Sequence, residues 1–371
     1  MNAVDATSAL PPDYRLFKSG ALCGKYVIVR MIAKGGMSEV YEALHTDLQK
    51  RVALKVLSPE LRHHAEAHAR FAAEALNTAS VGHTNVIDVI DCGSIFGLPY
   101  LVMNLLVGRD LAALYAQSAP LRPSELLDVL LPVALAVAVG HERGIMHRDL
   151  KPGNIFLHSE AGRIVPKLLD FGVSRMQGAR RITSHALIFG TPQYMAPEQA
   201  RGETTTDPRV DQYALGVILY EGLTGRLPRT ETHPYVLLYS VAFGSFEPPS
   251  THVQLPPGLE AIILRAMARD PNQRFASMRA LIGALLPYAS PQVRAYWLST
   301  EAGFSGSAGH ATRASLRPAQ APVLSVPALV LALWRLRSLV AVSAAATLVL
   351  SALGVWTVAQ YVAGLAAHLG Y

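Results

Sequence analysis

Cysteine is nearly absent from this 371-residue chain: Cys23 and Cys92 are the only two. They are too few for a disulfide framework and point to a reducing compartment for the region that holds them, although a single pairing of the two is left open. A secretory signal is also lacking, because the opening stretch MNAVDATSALPPDYRLFKSG has no basic start followed by an apolar run. The bulk of the chain is therefore expected in the cytoplasm. No internal repeat is evident. Charge is sparse, at 16% of residues, and basic residues outnumber acidic ones by only 33 to 27. So mild a balance selects no partner class by itself, and nucleic acid is not expected.

Between residues 338 and 371 Asp, Glu, Lys and Arg are missing altogether. Residues 339–359 are long enough to cross about 30 Å of hydrocarbon as a helix. A buried core helix or an interfacial hairpin is the plainer alternative, but an uncharged run after a polar linker favours a spanning helix over 338–360, with a short tail at 361–371. Trp334, Arg335 and Arg337 precede it, so that flank is expected on the cytoplasmic side of an inner or plasma membrane, single-pass, with no room outside for a sensor domain. The run 323–333 is too short to span and is expected along the interface.

What is present divides the rest of the chain. Residues 1–25 read as a tail with Pro11 and Pro12, and a folded domain is expected to start at Tyr26 with the β-branched run YVIVR. Further strand-like runs fall at 52–57 and 99–103, with a helical stretch at 59–81 between them. From Pro123 the texture turns helical, at 124–139, 211–224, 257–269 and 277–286. Pro132 inside the first of these predicts a kink or a late start, and Gly144 suits its C-terminal cap. Residues 289–337, rich in Ser, Ala, Gly and Pro with five Arg against one Glu, read as a flexible basic linker.

Several short runs carry chemistry. AKGGMSEV at 33–40 follows a strand and places small residues where backbone N–H groups could approach phosphate oxygens; by itself it is equally an ordinary hairpin turn. VALK then puts Lys55 on the next strand, and Glu74 lies 19 residues on, inside the predicted helix. Such a pair can hold an ammonium against phosphates. Glu66 is the rival, and Arg70 could make either acid a surface pair. The most specific series is HRDLKPGN at 147–154 followed by DFG at 170–172, which supplies a carboxylate for a hydroxyl proton, a nearby cation, and an amide and a second carboxylate for a divalent ion. His63, His64 and His68 look like a metal cluster, but no Cys or acid completes it, and a solvated helix face is the better reading.

With GGMSEVY, HRDLKPGN, DFG and GTPQYMAPEQARG all in order, the chain resembles the eukaryotic-like (Hanks-type) protein kinases over about residues 26–288, and is most similar to bacterial membrane-anchored serine/threonine kinases. The resemblance implies an α+β bilobal fold: a β-rich N-lobe at 26–103 with one helix, a hinge at 104–108 and a mainly helical C-lobe at 109–288, with ATP between the lobes. It implies Asp149 as catalytic base, Lys151 as stabiliser of the transferred phosphoryl group, Lys55 and Glu74 as the activating ion pair, and Asn154 and Asp170 as ligands of Mg²⁺, with Mn²⁺ as a substitute. Ile32, Ala33, Gly35, Gly36, Ser38, Val40, Ala53, Lys55, Met103 and Leu105 would line the ATP site, Met103 as gatekeeper and 104–106 as hinge.

The chain departs from the family at Asn104, where an acid is usual and where the amide is expected to tune ribose or peptide contacts. It departs again at Ala33 and Ser38, which replace glycines of the phosphate loop and imply a slightly looser ATP clamp. Lys151 and Thr191 resemble the serine/threonine class, so aliphatic hydroxyls of proteins are the expected acceptors. Glu198 with Arg274 matches a structural ion pair, and Asp211 an acid that steadies the catalytic loop. Thr183 and Ser184, after Arg180 and Arg181, are expected autophosphorylation sites whose phosphate Arg148 would bind. A homodimer is left open. Two competing functions are a pseudokinase that only binds, disfavoured because Lys55, Asp149 and Asp170 are present, and a small-molecule kinase, disfavoured by the peptide-docking segment GTPQYMAPEQ.

Overall fold

The computed structural model describes residues 17–171, 192–203, 206–295 and 297. The expected membrane segment, most of the linker, and Thr183, Ser184 and Thr191 lie outside the described residues.

The first part of the chain builds one antiparallel sheet from β1 (Leu22–Cys23), β2 (Tyr26–Lys34), β3 (Ser38–His45), β4 (Arg51–Leu57), β5 (Val89–Ile95) and β6 (Leu98–Asn104), in the order β1-β2-β3-β4-β6-β5. β4 lies inside the sheet, and after Arg51 every residue of it is buried. That explains its near-continuous apolar run, since a strand covered on both faces has no polar side to alternate with. Register then fixes the cleft: Lys55 stands opposite Val40 on β3 and Leu101 on β6, and Ala53 opposite Glu42 and Met103.

The helix α1 (Ala65–Val81) packs Ala67, Phe71, Thr78 and Val81 inward and stops at Gly82, whose φ of +52° is left-handed. The expected single helix over 59–81 is shorter, because residues 59–61 form a separate turn before it. At its C-terminal end Arg143 donates to the carbonyls of Ser80 and Val81, satisfying groups the helix cannot pair itself.

The remainder is mainly α: α2 (Leu111–Ser118), α3 (Pro123–Glu142), α4 (Pro197–Ala200), α5 (Val210–Thr224), α6 (Pro234–Phe243), α7 (Leu259–Ala266) and α8 (Met278–Leu285). A small sheet of β7 (Gly108–Asp110), β8 (Ile155–Glu160) and β9 (Arg163–Leu168) carries the catalytic segments at its ends. α3 is continuous through Pro132, so the late start expected there does not occur. Among the described residues α3 is the one helix long and apolar enough to cross a membrane, but ten of its residues lie in the core of this lobe. α5 is buried at every position except Glu221. A side chain at Gly216 would meet Met267 at 2.6 Å, so glycine there lets α7 and the residue after it approach.

Both expected domain edges move outward. Phe17 is buried against Tyr41, ring centroids 5.2 Å apart, and β1 pairs with β2, so the tail contributes to the first sheet from residue 17. At the other end Ser290 N–H donates to Asp128 at 3.0 Å and Trp297 joins the helical core, so the first residues assigned to the linker are packed. The predicted helix at 257–269 shrinks to α7, which starts after Gly258 at φ +84°. Ser277 is the N-cap of α8, its hydroxyl accepting from Ala280 N–H. The sequence reading had assigned nothing at α2 or α6.

Candidate active site

Two groups of charged side chains face the junction between the large sheet and the helical lobe. In the first, Lys55 Nζ lies 2.5 Å from Glu74 Oε1 and 2.7 Å from Asp170 Oδ2. The rival acid Glu66 pairs with Arg70 instead, one helical turn away. One cation thus serves two carboxylates. Burial by itself would push the Lys55 ammonium down, but the charges of Asp170 and Glu74 outweigh it and raise its pKa. Burial, and then the negative charge of Asp170, push Glu74 up to about 7 even though Lys55 opposes them. For Asp170 burial works upward, but Lys55 dominates and holds the carboxyl below its usual range. Asp170 has φ +47°, uncommon for a residue with a side chain and sustained only when its surroundings over-determine it.

In the second group Lys151 Nζ donates to Asp149 Oδ2 at 2.8 Å, and Asn154 Nδ2 donates to the Asp149 carbonyl at 2.8 Å. Asn154 O accepts from Leu169 N–H at 2.8 Å, which brings the two motifs HRDLKPGN and DFG side by side. The loop is held from below by Asp211, which accepts from His147 N–H at 2.9 Å and Arg148 N–H at 2.8 Å and lies 2.7 Å from His141 Nε2. Arg148 takes φ +61° there. Burial would raise the Asp211 carboxyl, but the bonds from His141 and His147 hold it low.

Glu198 and Arg274 form a two-pronged pair at 2.7 and 2.8 Å, both fully inside the protein. Gln199, which the sequence reading did not single out, accepts from Ala196 N–H at 2.9 Å and donates to the Arg148 carbonyl at 3.1 Å, tying the APE segment to the catalytic loop. Only register in three dimensions reveals that link.

The residues expected around adenine and phosphates fall on β2, β3, β4 and β6, except Gly35 and Gly36 in the turn between β2 and β3 and Leu105 just after β6. Ala33 pairs with Val40 across the hairpin, Gly35 N–H donates to the Ser38 carbonyl at 2.8 Å, and Gly36 lies in the turn. Ile32 is 42% exposed, whereas Ala53 and Met103 are buried, and Leu105 packs partly against the core of the sheet. The Asn104 side chain donates to Asp88 Oδ2 at 3.0 Å and accepts from Lys50 Nζ at 3.4 Å, so its amide links the end of β6 to the segments before β4 and β5. His68 Nε2 bonds to the Arg62 carbonyl, and among the described residues no group of three or more His, Cys, Asp or Glu side chains is placed to hold a metal by itself.

The oxygen donors at the junction suit a hard divalent ion. Asn154 spends an amide hydrogen on the backbone, which leaves its carbonyl oxygen for a cation, and Asp170 adds a carboxylate. Two protein ligands are typical for Mg²⁺ that is completed by phosphate oxygens and water.

Comparison with known proteins agrees with this arrangement. Residues 26–283 match the protein kinase domain family. Serine/threonine-protein kinase Pkn1 of Myxococcus xanthus is 40% identical over 278 residues, covering 74% of this chain and 40% of its own length. PknB of Mycolicibacterium smegmatis is 36% identical over 269 residues, covering 70% and 42%. The crystal structure of the Mycobacterium tuberculosis PknI kinase domain superposes with a TM-score of 0.56 at 29% identity, over 73% of this chain and 99% of that one. The chain therefore spans about two fifths of the length of these curated relatives. The ordered motifs, the two-lobed fold and these matches together place the chain in the family of ATP-dependent protein serine/threonine kinases.

Proposed function

We propose that this chain transfers the γ-phosphoryl group of ATP to serine and threonine hydroxyls of proteins, itself included, at a membrane. The observation that carries the reading is the convergence of Asp149, Lys151 and Asn154 with Lys55, Glu74 and Asp170 at one junction. ATP supplies the phosphoryl group, and Mg²⁺, or Mn²⁺ in its place, neutralises charge on the phosphates. Asn154 and Asp170 hold the ion, and Lys55, oriented by Glu74, holds phosphate oxygens. Ile32, Ala33, Gly35, Gly36, Ser38, Val40, Ala53, Met103 and Leu105 enclose the nucleotide. The Asp149 carboxylate orients the acceptor hydroxyl and takes its proton, while Lys151, 2.8 Å from that carboxylate, stabilises negative charge on the moving phosphoryl group.

Activation by phosphorylation at Thr183 or Ser184 belongs to the same proposal, with the Arg148 guanidinium as the phosphate's partner. Anchoring through 338–360, with the kinase domain on the cytoplasmic face, is supported by the uncharged run from residue 338 onward and by Arg335 and Arg337 before it. Pairing of two chains would let one phosphorylate the other.

The test is γ-phosphate transfer by the full chain with Mg²⁺, beside Asp149→Asn, with labelled sites mapped by mass spectrometry. Label on Thr or Ser in the wild type and loss of roughly a hundredfold or more in the variant is expected. ATP binding without label in either protein would replace the kinase with a binding protein of the same fold. Separately, the full chain should remain with membranes after alkaline extraction, and recovery in the soluble fraction would remove the anchor.

A further inference from the structure

Thr78 lies four residues after Glu74, so the two share a face of α1 one turn apart. It is 3% exposed. A threonine buried inside a helix is a poor choice on propensity, and its hydroxyl needs a partner once water is excluded. That partner is the backbone of the neighbouring motif: Phe171 N–H donates to Thr78 Oγ1 at 3.1 Å.

The surroundings of this bond give it a role. Leu169 is held by the helical lobe, its N–H bonded to Asn154 O at 2.8 Å and its carbonyl 3.1 Å from His147 Nε2. The Phe171 ring is fully buried, 5.1 Å from the His147 ring, and a side chain at Gly140 would come within 2.9 Å of it. Asp170 sits between these two fixed residues at φ +47°, and its carboxylate reaches Lys55. A left-handed aspartate keeps that shape only while both neighbours are restrained. On the far side the helical lobe packs the Phe171 ring, while the bond to its backbone N–H comes from α1, the helix that also carries Glu74.

We propose that Thr78 is a positioning residue, whose hydroxyl holds the Phe171 backbone so that Asp170 presents its carboxylate to a divalent cation when α1 has Glu74 on Lys55. The Thr78 bond and the Glu74 bond are made by one face of one helix, so helix position is read twice, once by the lysine and once by the metal-binding aspartate. The kinetic part rests on the assignment of Asp170 under the proposed function; the exchange part does not.

The experiment compares the full chain with Thr78→Val, which keeps the branched shape and removes the hydroxyl, and Thr78→Ser, which keeps the hydroxyl. Amide hydrogen exchange at Phe171 is read by mass spectrometry without nucleotide or metal. Exchange there should be about tenfold faster in the valine variant and near wild type in the serine variant, the factor expected for one unmade buried hydrogen bond. With ATP, the apparent KM for Mg²⁺ should rise about tenfold in Thr78→Val while kcat at saturating Mg²⁺ falls much less. Unchanged Phe171 exchange in Thr78→Val overturns the proposal, as does equal loss in the serine variant, which would assign the effect to packing. Altered exchange with an unaltered Mg²⁺ KM overturns the metal link, and a wild type without transfer activity would refute the kinase reading while leaving the exchange result to decide on Thr78.

Discussion

Two buried ionic clusters in this protein are built on opposite terms. Around Glu198 and Arg274 one acid meets one guanidinium in a two-pronged pair, and the remaining three donors of Arg274 go to the carbonyls of Ala268, Arg209 and Arg269 at 2.9, 3.0 and 3.5 Å. That cluster is complete. Around Lys55 two carboxylates share one ammonium, and burial, reinforced by the neighbouring charge of Asp170, raises Glu74 to about 7. A cluster short of one positive charge is a site prepared for a cation, whereas a balanced one is a fastener. Charge count and burial both separate chemistry from scaffold here: the Arg274 and Glu198 side chains are 0% and 3% exposed, those of Glu74 and Asp170 25% and 35%.

The contrast can be broken by substitution. The largest effect is expected for Lys55→Met, which should lower phosphoryl transfer about a hundred- to a thousandfold by removing a fixed cation from the phosphates; its shift in Tm should stay well below that of the scaffold variant. Arg274→Met should do the reverse. Leaving Glu198 buried without its partner costs about 3–5 kcal/mol, a fall in Tm of roughly 10 °C for a domain of this size, while activity per folded molecule is largely kept. Calorimetry with parallel kinetics decides, and an Arg274→Met protein of normal Tm but lost activity would erase the distinction.

The smallest and sharpest test uses pH. Glu74 is raised above its ordinary 4.5 to about 7, so the stability it contributes is complete below 4.5 and is lost as the pH climbs through 7. Glu74→Gln should therefore gain in Tm relative to the wild type between pH 5 and pH 8. The charged pair with Lys55, in contrast, forms only as that proton leaves. In the wild type kcat/KM for ATP should fall below about pH 7, and the glutamine variant should show a lower, flatter profile. A wild-type profile without a step near 7 would mean that the cluster is already balanced.

Much of this site was legible because kinase motifs are contiguous. The roles expected of Asp149, Lys151, Asn154 and Asp170 follow from runs that fold locally, and the pairing of Lys55 with Glu74 from a strand and a helix joined by a short connection. Asn104, Gln199 and Thr78 act across distances of 16, 51 and 93 residues, and a linear pattern carries no information about which backbone group a side chain will meet. α6 escaped notice because its ten residues are apolar nearly all round, with Tyr235, Val236, Tyr239 and Phe243 exposed, so no one-sided stripe marks it as a helix. Phe17 was assigned to the tail because one aromatic anchor has no periodicity.

The bonds from Arg143 to the last carbonyls of α1 make that helix a lever with a fixed fulcrum. Counted from Val81, Glu74 lies about 10 Å along the axis and Thr78 about 4.5 Å, at 1.5 Å per residue. A swing of about 10° around that end would carry Glu74 away from Lys55 by about 2 Å but displace Thr78 by less than about 1 Å. The contact at the end of the long arm is therefore the more sensitive gauge of helix angle, and the one near the fulcrum responds chiefly to larger excursions or to a shift of the helix as a whole.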